Sequence, residues 1–328
     1  MVLGTKWLAA PTTTVERLVP GGTDITDVDT VGRTLFVSLK ATSTPFADLF
    51  VVDVNSIVAS MPVVKVSLNT GPGLSALDAT QDFVYAANVS RNAQLQIIDV
   101  RDPYSPVLVS SLKLPGVYTD ATVGQSIFYY NDRIYLGTNK SQIQEFHIID
   151  VSDPVVPVEL GAYEVGAGIN SIYVKGSNAY IATPNPEELT ILDVSNPAAI
   201  VRVGGFDAPK GLGNGKVVAI LGRLLFLGRT IGARELYVLD ISDARAPREL
   251  SSYDLNTSVY SMRVSESRLF LVTSDSAREF QVFTFDSSGI LTRIREFDLP
   301  ARMKGLDLFD NGLIIADETV GNVRVITP

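Results

Sequence analysis

The sequence predicts an all-β protein, and within that class a seven-bladed β-propeller with four-stranded antiparallel blades. Three observations lead to this prediction. A short apolar strand that ends in aspartate or threonine recurs seven times along the 328 residues. The recurrences are 43 to 51 residues apart, which is the spacing of propeller blades rather than of helical repeats. The strand that is missing after the last repeat has a counterpart at the start of the chain.

The recurring strand is the third strand of each predicted blade. Clusters of glycine, proline, serine and aspartate separate it from other short runs of β-branched and aromatic residues, and no ten-residue segment shows a helical apolar period. The seven copies are "LFVVD" ending at Asp53, "LQIID" at Asp99, "FHIID" at Asp150, "LTILD" at Asp193, "LYVLD" at Asp240, "FQVFT" at Thr284 and "VRVIT" at Thr327.

The second repeat serves as the template for a whole blade. Its four predicted strands cover residues 74–79, 83–88, 95–100 and 106–114. Several strands are apolar at consecutive positions, as in "LQIID", which favours sheets that are covered on both faces by neighbouring blades.

The two ends of the chain are predicted to share the seventh blade. The last third strand has no fourth strand after it, whereas "TVERLVPGG" near the start resembles the fourth strands of other repeats. We therefore expect residues 14–20 to pair with residues 323–327 and close the ring, which removes two open sheet edges. Residues 1–13 are then an N-terminal extension, and residues 14–328 form a single propeller domain.

The most regular segments resemble a known repeat family. The segments "IIDVSDPVVPVEL" and "ILDVSNPAAIVRV" are similar to the LVIVD repeat, which is named for an apolar strand ending in aspartate. The resemblance extends from about residue 14 to the end of the chain and is strongest in repeats two to five. It implies a propeller of a kind found mainly in bacterial and archaeal proteins, often surface-exposed ones. It implies no common catalytic motif.

Composition excludes several classes of partner. A formal net charge of -9 and a pI near 4.7 argue against nucleic-acid binding and against adsorption to an anionic membrane surface. The longest apolar run, residues 217–228, is interrupted by Arg223 and is too short to span a bilayer. The first residues do not form a secretory signal, so an export signal would lie outside this chain. We expect an extracellular or cell-surface location, although the absence of cysteine fits a cytoplasmic protein equally well.

The repeated aspartates and the single histidine are interpreted as structural. Each aspartate precedes a turn of the type Val-Ser-Asp-Pro, where a carboxylate accepts hydrogen bonds from backbone N–H groups. His147 occupies a strand position that other repeats fill with glutamine, threonine, tyrosine or arginine. A single histidine cannot build a multi-histidine metal centre, and no Gly-x-Ser-x-Gly turn accompanies it.

Residues that break the repeat are better candidates for a site. The segment "TDITDVD" places Asp24, Asp27 and Asp29 near the start of a strand that is expected to line the central channel. Three carboxylates are suitable ligands for calcium, so this segment is a candidate metal site. The alternative is a solvated acidic turn, which is the more common role of such aspartates.

Three loops bring positive charges into this acidic protein. They are residues 207–216, 228–235 and 298–304, and they join fourth strands to first strands or second strands to third strands. Such loops could recognise a polar or anionic ligand, whereas the alternative is that their charges are simply solvated. The candidate ligand-binding residues of these and equivalent loops are Lys210, Lys216, Arg229, Arg234, Arg302, Lys304, Tyr118, Asn170 and Tyr260.

Three functions from different classes follow from these observations. The one we favour is a non-enzymatic binding or adhesion module that recognises a protein or glycan partner through its loops, alone or within a larger surface protein. The second is a metal-dependent propeller hydrolase or lactonase that uses the three aspartates at the channel mouth. The third is an intracellular scaffold for protein assembly.

Overall fold

A computed structural model describes residues 12–17, 24–40, 47–58, 65–116, 123–184, 187–208, 213–230, 232–299, 302–310, 312–317 and 321–327. These residues form 28 β-strands, one short α-helix and one 3-10 turn. The strands are β1 (Thr12–Arg17), β2 (Asp24–Val31), β3 (Thr34–Lys40), β4 (Leu49–Asp53), β5 (Lys65–Leu68), β6 (Leu74–Ala79), β7 (Phe83–Ser90), β8 (Ala93–Asp99), β9 (Val107–Leu112), β10 (Gly124–Tyr130), β11 (Arg133–Thr138), β12 (Phe146–Asp150), β13 (Val158–Tyr163), β14 (Ser171–Lys175), β15 (Asn178–Ala182), β16 (Leu189–Asp193), β17 (Val201–Phe206), β18 (Gly215–Leu221), β19 (Leu224–Arg229), β20 (Leu236–Asp240), β21 (Arg248–Tyr253), β22 (Val259–Ser265), β23 (Arg268–Thr273), β24 (Phe280–Phe285), β25 (Leu291–Phe297), β26 (Met303–Phe309), β27 (Gly312–Asp317) and β28 (Asn322–Thr327).

The strands form seven four-stranded sheets, so the fold is the predicted seven-bladed β-propeller. The four strands of the second repeat lie where the sequence places them, to within a few residues. In chain order the blades are β2-β3-β4-β5 (blade 1), β6-β7-β8-β9 (blade 2), β10-β11-β12-β13 (blade 3), β14-β15-β16-β17 (blade 4), β18-β19-β20-β21 (blade 5), β22-β23-β24-β25 (blade 6) and β26-β27-β28-β1 (blade 7).

The predicted pairing of the two termini is confirmed. Strand β1 pairs antiparallel with β28, with Thr14 opposite Val325 and Glu16 opposite Val323. The strand begins at Thr12, slightly before the expected boundary, and residues 18–20 of the predicted partner segment lie outside the described residues. Blade 7 is therefore assembled from both ends of the chain.

The chain divides into two compact units. Unit 1 consists of residues 1–129, 152–157 and 301–328, and unit 2 consists of residues 130–151 and 158–300. The prediction of a single domain from residue 14 stays a prediction.

The core of unit 1 lies between strands whose residues are buried on both faces. In β8, Leu95, Ile97 and Ile98 are all fully buried, as expected for sheets covered on both sides. One apolar cluster joins blades 1 and 7 through residues such as Val28 and Ile314, and a second joins blades 1 and 2.

The core of unit 2 is built in the same way but contains more aromatic contacts. Phe226 packs against Phe285 with ring centroids 4.9 Å apart, and Phe206 packs against Tyr237 at 5.4 Å. These rings belong to two apolar clusters formed by blades 4, 5 and 6.

One helix interrupts the repeat in blade 1. Helix α1 (Val54–Val58) follows Asp53, where the other blades have an Asp-Pro or related turn. Blade 1 has Ser56 where the other turns have an aspartate or asparagine, such as Asp153, that accepts the backbone N–H two residues later. Ser56 Oγ instead donates to the carbonyl of Asp53 at 2.6 Å, within the first turn of the helix.

Candidate functional site

The loops that were predicted to bind a ligand are only partly described. Lys210 and Tyr118 lie outside the described residues, as do residues 209–212, 231 and 300–301. The other seven candidate residues are described, and the structure assigns them to different environments.

Arg229 is fully buried, so its interpretation as an exposed loop charge is wrong. Its Nη2 donates to Glu188 Oε1 at 2.5 Å and to the carbonyl of Gly213 at 3.2 Å. Its Nη1 donates to the carbonyl of Arg234 at 2.9 Å, and its guanidinium lies 5.4 Å from the ring centroid of Tyr237. Arg229 therefore holds the bases of two predicted binding loops in place and does not extend from them.

Arg234 and Arg302 are the exposed charges among the described candidates. Arg234 Nη1 donates to the carbonyl of Ser252 at 3.0 Å, which leaves the rest of its guanidinium at the surface.

The candidates Asn170, Lys216, Tyr260 and Lys304 share one repeat position, at the start of each first strand. In blades 5, 6 and 7 a β-bulge interrupts the pairing of first and second strands at this position, whereas the pairing next to Asn170 in blade 4 is regular. A bulge turns its extra residue out of the regular alternation, and bulges are frequent at barrel rims and near functional sites. The sequence contains no direct signal for these bulges.

Short polar side chains at this position connect neighbouring blades. Thr26 Oγ1 donates to the carbonyl of Leu74 at 2.8 Å, Ser75 Oγ to that of Gly124 at 2.6 Å, and Asn170 Nδ2 to that of Gly215 at 2.7 Å. Asn170 thus has a structural role. Lys216, Tyr260 and Lys304 replace these short side chains with long ones in blades 5, 6 and 7.

The three aspartates of the candidate calcium site do not come together as a metal-binding group. Asp24 is exposed, while Asp27 and Asp29 accept backbone N–H groups of the next blade, from Leu77 at 3.2 Å and from Ala79 at 2.7 Å. Each also accepts the N–H of the residue that follows it. Among the described residues, no three histidine, cysteine or acidic side chains are placed to hold a metal ion. Calcium binding by these residues stays a prediction.

The aspartate at position 29 belongs to a series that the sequence analysis missed. Asp307 accepts the N–H of Thr30 at 2.8 Å, Asp29 accepts that of Ala79, and Asp78 accepts that of Tyr129 at 2.7 Å. Each carboxylate on an inner strand therefore binds the backbone of the next inner strand. In the sequence, this role is indicated by an aspartate that recurs at a spacing of about 50 residues. The local cluster of Asp24, Asp27 and Asp29 does not indicate it.

A second series, of five buried acids and one buried glutamine, holds the loops that follow the fourth strands of blades 1 to 6. One polar side chain at or just before the start of the third strand accepts the N–H of a residue 20 to 22 positions later, as Glu235 does from Leu255 at 2.8 Å. Burial raises the pKa of Asp48, the member of the series in blade 1, even though Thr70 donates two hydrogen bonds to it. The series is Asp48, Gln94, Glu145, Glu188, Glu235 and Glu279.

The structural interpretation of the repeated aspartates is confirmed. Asp99, Asp193 and Asp240 each accept the N–H of the residue two positions later, at 2.9 to 3.0 Å. The hydroxyl and N–H of Ser195 lower the pKa of Asp193, and those of Ser242 lower that of Asp240. These carboxylates therefore stabilise turns.

His147 is also bonded at both ring nitrogens. Nδ1 lies 2.7 Å from Glu159 Oε1 and Nε2 lies 2.9 Å from the carbonyl oxygen of Gln144, in a site that is 1% exposed. The ring connects β12 to β13 inside blade 3, as expected for a strand residue.

A pocket of about 260 Å³ opens in unit 1 where blades 1 and 2 meet. In blades 2 to 5, the fourth strand has a serine or glycine at the position that contacts the third-to-fourth-strand turn of the following blade. In blade 2 this residue is Ser110, whose Oγ donates to the carbonyl of Pro154 at 2.7 Å. Blade 1 has Val66 at this position, and the turn carrying Tyr104 forms the opposite wall. The pocket is slightly smaller than typical small-molecule sites of roughly 300 Å³ or more. It is lined by Arg33, Thr34, Val51, Val52, Asp53, Asn55, Val66, Pro103 and Tyr104.

Within the described part of the chain, no helix is both long and apolar enough to cross a membrane.

Comparison with known proteins supports the fold and the repeat. The model of the LVIVD repeat matches residues 77–113, 141–165, 169–208 and 216–255. A search of curated proteins finds no match. Three similar solved structures are a chain of the mitotic checkpoint complex (14% identity, TM-score 0.72, 96% of this chain and 90% of that one), the periplasmic gluconolactonase of Pseudomonas aeruginosa (12%, 0.70, 94% and 99%) and the virginiamycin B lyase of Staphylococcus aureus (12%, 0.71, 97% and 100%).

These structures include both a protein assembly and enzymes, and at such identities the similarity shows the fold alone. The chain is a seven-bladed β-propeller that carries LVIVD repeats in four stretches.

Proposed function

We propose that this propeller is a non-enzymatic binding module that recognises a protein or glycan partner with the loops joining fourth strands to first strands and second strands to third strands. The observation that carries the proposal is the series of buried polar side chains at the bases of the loops that follow the fourth strands. A binding surface gains affinity when its loops are ordered before the partner arrives. In blades 1 to 6, a repeated internal hydrogen bond to the start of this loop provides that order.

The loops differ from blade to blade while their supports are alike. Glu145 accepts the N–H groups of Val165 and Gly166, and Glu235 accepts those of Leu255 and Asn256, at 2.8 to 3.1 Å. The segments that donate to these acids are similar in sequence, as in "YDLN" (253–256) and "FDLP" (297–300), whereas the loop residues after them differ from blade to blade. Variable loops on a constant support are the usual arrangement of binding scaffolds.

The polar groups that could have served catalysis are engaged in structural contacts. Asp27 and Asp29 bind backbone N–H groups, and His147 lies between Glu159 and the carbonyl of Gln144. A general base or nucleophile needs to reach a substrate, so these contacts favour binding over catalysis. Display on a cell surface, which the LVIVD resemblance implies, is part of the proposal.

The proposal is tested by screening the purified protein against a displayed random peptide library and a glycan array. For a ligand found in this way, we expect Arg234→Glu or Arg302→Glu to weaken the Kd by roughly tenfold, as removal of a charge at an interface rim does. The matched control is Arg248→Glu, because the side chain of Arg248 is 71% exposed at the start of β21, directly after the turn that joins the third and fourth strands of blade 5.

Two results would contradict the proposal. One is a set of ligands that respond to Arg248→Glu and not to the loop variants. The other is the absence of any ligand in both screens together with turnover of a lactone or ester substrate.

A further inference from the structure

Strand β9 has an open edge on the outside of blade 2. The blade has the order β6-β7-β8-β9, and β9 pairs with β8 from Val107 opposite Asp99 to Leu112 opposite Leu95. Within the described part of the chain, no strand pairs with its other side. An open edge carries backbone N–H and C=O groups that are ready to pair with another strand.

β9 is the one uncharged strand among the seven outer strands of the described blades. Its sequence is "VLVSSL". Natural sheets protect their outer edges with charged residues, above all lysine. The sequence of each of the other six outer strands contains at least one charged residue: Glu16 and Arg17 in β1, Lys65 in β5, Glu159 in β13, Arg202 in β17, Arg248 and Glu249 in β21, and Arg293, Arg295 and Glu296 in β25.

Exposed apolar side chains surround the same edge. Tyr104 and Val107, at the entry to β9, are 65% and 53% exposed. Val155 and Val156 are each 61% exposed, and their turn lies beside β9 because Ser110 Oγ donates to the carbonyl of Pro154. All four residues belong to unit 1. An uncharged edge with exposed apolar neighbours is unfavourable in water unless something covers it.

We propose that β9 pairs antiparallel with β9 of a second copy of this chain. Two-fold dimers are the most common oligomers, and an antiparallel strand pair satisfies two-fold symmetry with identical partners. A two-fold axis between Val109 and Ser110 sets Val107 opposite Leu112 and joins the two blades into one eight-stranded sheet. Two acidic copies, each with a net charge of -9, meet without charge repulsion where their outer strands are uncharged. The surface is separate from the loops of the proposed function, and neither depends on the other.

The first test is sedimentation velocity over about 1 to 100 µM, the range in which weak interfaces dissociate. The wild-type protein forms a concentration-dependent dimer. Val107→Arg raises the dimer Kd at least about tenfold, because each copy then places a strongly hydrated charge opposite Leu112 of the other copy, at an edge that is otherwise uncharged. The fold tolerates arginine here, because Arg248 occupies the same repeat position in blade 5.

The matched control is Val201→Arg. Val201 occupies the same repeat position in blade 4 and is 51% exposed, but its strand β17 already carries Arg202. This variant leaves the dimer Kd unchanged. A wild-type chain that stays monomeric at the highest concentration overturns the proposal, and so does a dimer that is weakened by Val201→Arg and not by Val107→Arg.

A distance measurement tests the antiparallel arrangement itself. The chain has no cysteine, so Lys113→Cys provides one attachment point for a spin label just beyond β9. In the proposed pair, the two labelled positions are offset by seven residues and lie about 25 Å apart, at roughly 3.4 Å per residue along an antiparallel strand. A dominant distance beyond about 40 Å means that the dimer uses another surface, which overturns the proposal.

Discussion

Units 1 and 2 repeat one blade design but join their inner strands with different chemistry. In unit 1, Asp29 and Asp78 each accept a backbone N–H of the next inner strand. In unit 2, the repeat position of these two aspartates on the first strand is occupied by other residues. They are Tyr173, Ala219 and Arg263. Blades 4 and 5 are joined near the start of their inner strands instead, by the N–H of Val218, which donates to Ser171 Oγ at 3.3 Å, and by Asn170 Nδ2, which donates to the carbonyl of Gly215 at 2.7 Å.

In unit 2, a different polar contact connects neighbouring blades, and it lies at the ends of the second strands. The buried pair of Glu188 and Arg229 connects blades 4 and 5, where unit 1 has the neutral pair of Asn88 Nδ2 and Gln96 Oε1 at 2.7 Å within blade 2. The repeat therefore determines where neighbouring blades contact each other, whereas the polar groups that form the contact differ between the two units. The two units should therefore respond differently to mutation.

The largest effect is expected from breaking the ion pair of unit 2. Arg229→Met leaves the carboxylate of Glu188 buried without its partner, which costs about 3 to 5 kcal/mol of unfolding free energy. The measurement is equilibrium urea denaturation. The double variant Glu188→Gln with Arg229→Met should regain most of this loss, because the glutamine side chain is neutral and its amide oxygen can still accept the N–H of Ala208.

If Arg229→Met unfolds at the same urea concentration as the wild type, the pair does not join the blades of unit 2. If the double variant is no more stable than Arg229→Met, the loss comes from packing and not from an uncompensated charge.

The next effect concerns the turn that packs on the fourth strand. A Cβ at Gly204 would lie 2.1 Å from the carbonyl oxygen of Ala244, so Gly204→Ala forces the backbone of this turn to move. We expect a loss of about 2 to 3 kcal/mol, in the range of overpacking. In unit 1 the equivalent Ser110→Ala removes only the bond to Pro154, which is worth about 1 kcal/mol. Thermal unfolding that ranks the two variants in the opposite order contradicts this comparison.

A smaller effect is expected from an inner aspartate of unit 1. Asp29→Ala removes the acceptor of the N–H groups of Ala79 and Thr30, which lie 2.7 and 2.8 Å away, and costs about 1 to 2 kcal/mol. The control is Asp24→Ala on the same strand, which is exposed and should cost no more than about 0.5 kcal/mol. If the two variants lose the same free energy of unfolding in urea, the carboxylate of Asp29 does not stabilise the contact between inner strands.

The smallest effect is on the pH dependence of stability. The pKa of Asp193 in unit 2 is lowered, so its contribution is present above the unfolded-state pKa of about 3.9 and is lost as pH falls through the folded-state pKa. The pKa of Asp48 in unit 1 is raised by burial, so its contribution has the opposite sign and is lost as pH rises.

We therefore expect Asp193→Asn to make the acid decline of Tm shallower and Asp48→Asn to make it steeper. Calorimetry between about pH 2 and pH 6 measures both slopes, since this window brackets the ordinary aspartate pKa. The assignment is contradicted if the two variants change the slope in the same direction.

Most of the blade architecture could be predicted because strand patterns are local. The apolar run that ends at Asp99 and the turn after it lie within about ten residues, and the hydrogen bond from Asp99 to the N–H of Arg101 spans only two. The missing fourth strand after Thr327 was equally visible, because an incomplete repeat at one end required its complement at the other.

The candidate site was predicted less well, because burial depends on residues that are distant in sequence. Arg229 is buried by Glu188, 41 residues earlier, and Asp29 is bound by Ala79, 50 residues later. A loop sequence rich in glycine and arginine looks exposed when it is considered alone. Helix α1 was not predicted, because a single serine, Ser56, in place of the turn aspartate permits a helix without indicating one.

By itself, the sequence determined the number of blades, the strands within them and the pairing of the two termini, because the apolar period and the turn residues encode these locally. The tertiary structure alone decided which of the candidate polar side chains are exposed and which support the fold. The physical reason is that a carboxylate or guanidinium takes its role from the group that neighbours it. For Asp29, Asp78 and Arg229 that neighbour lies on an adjacent blade, about 40 to 50 residues away in the chain.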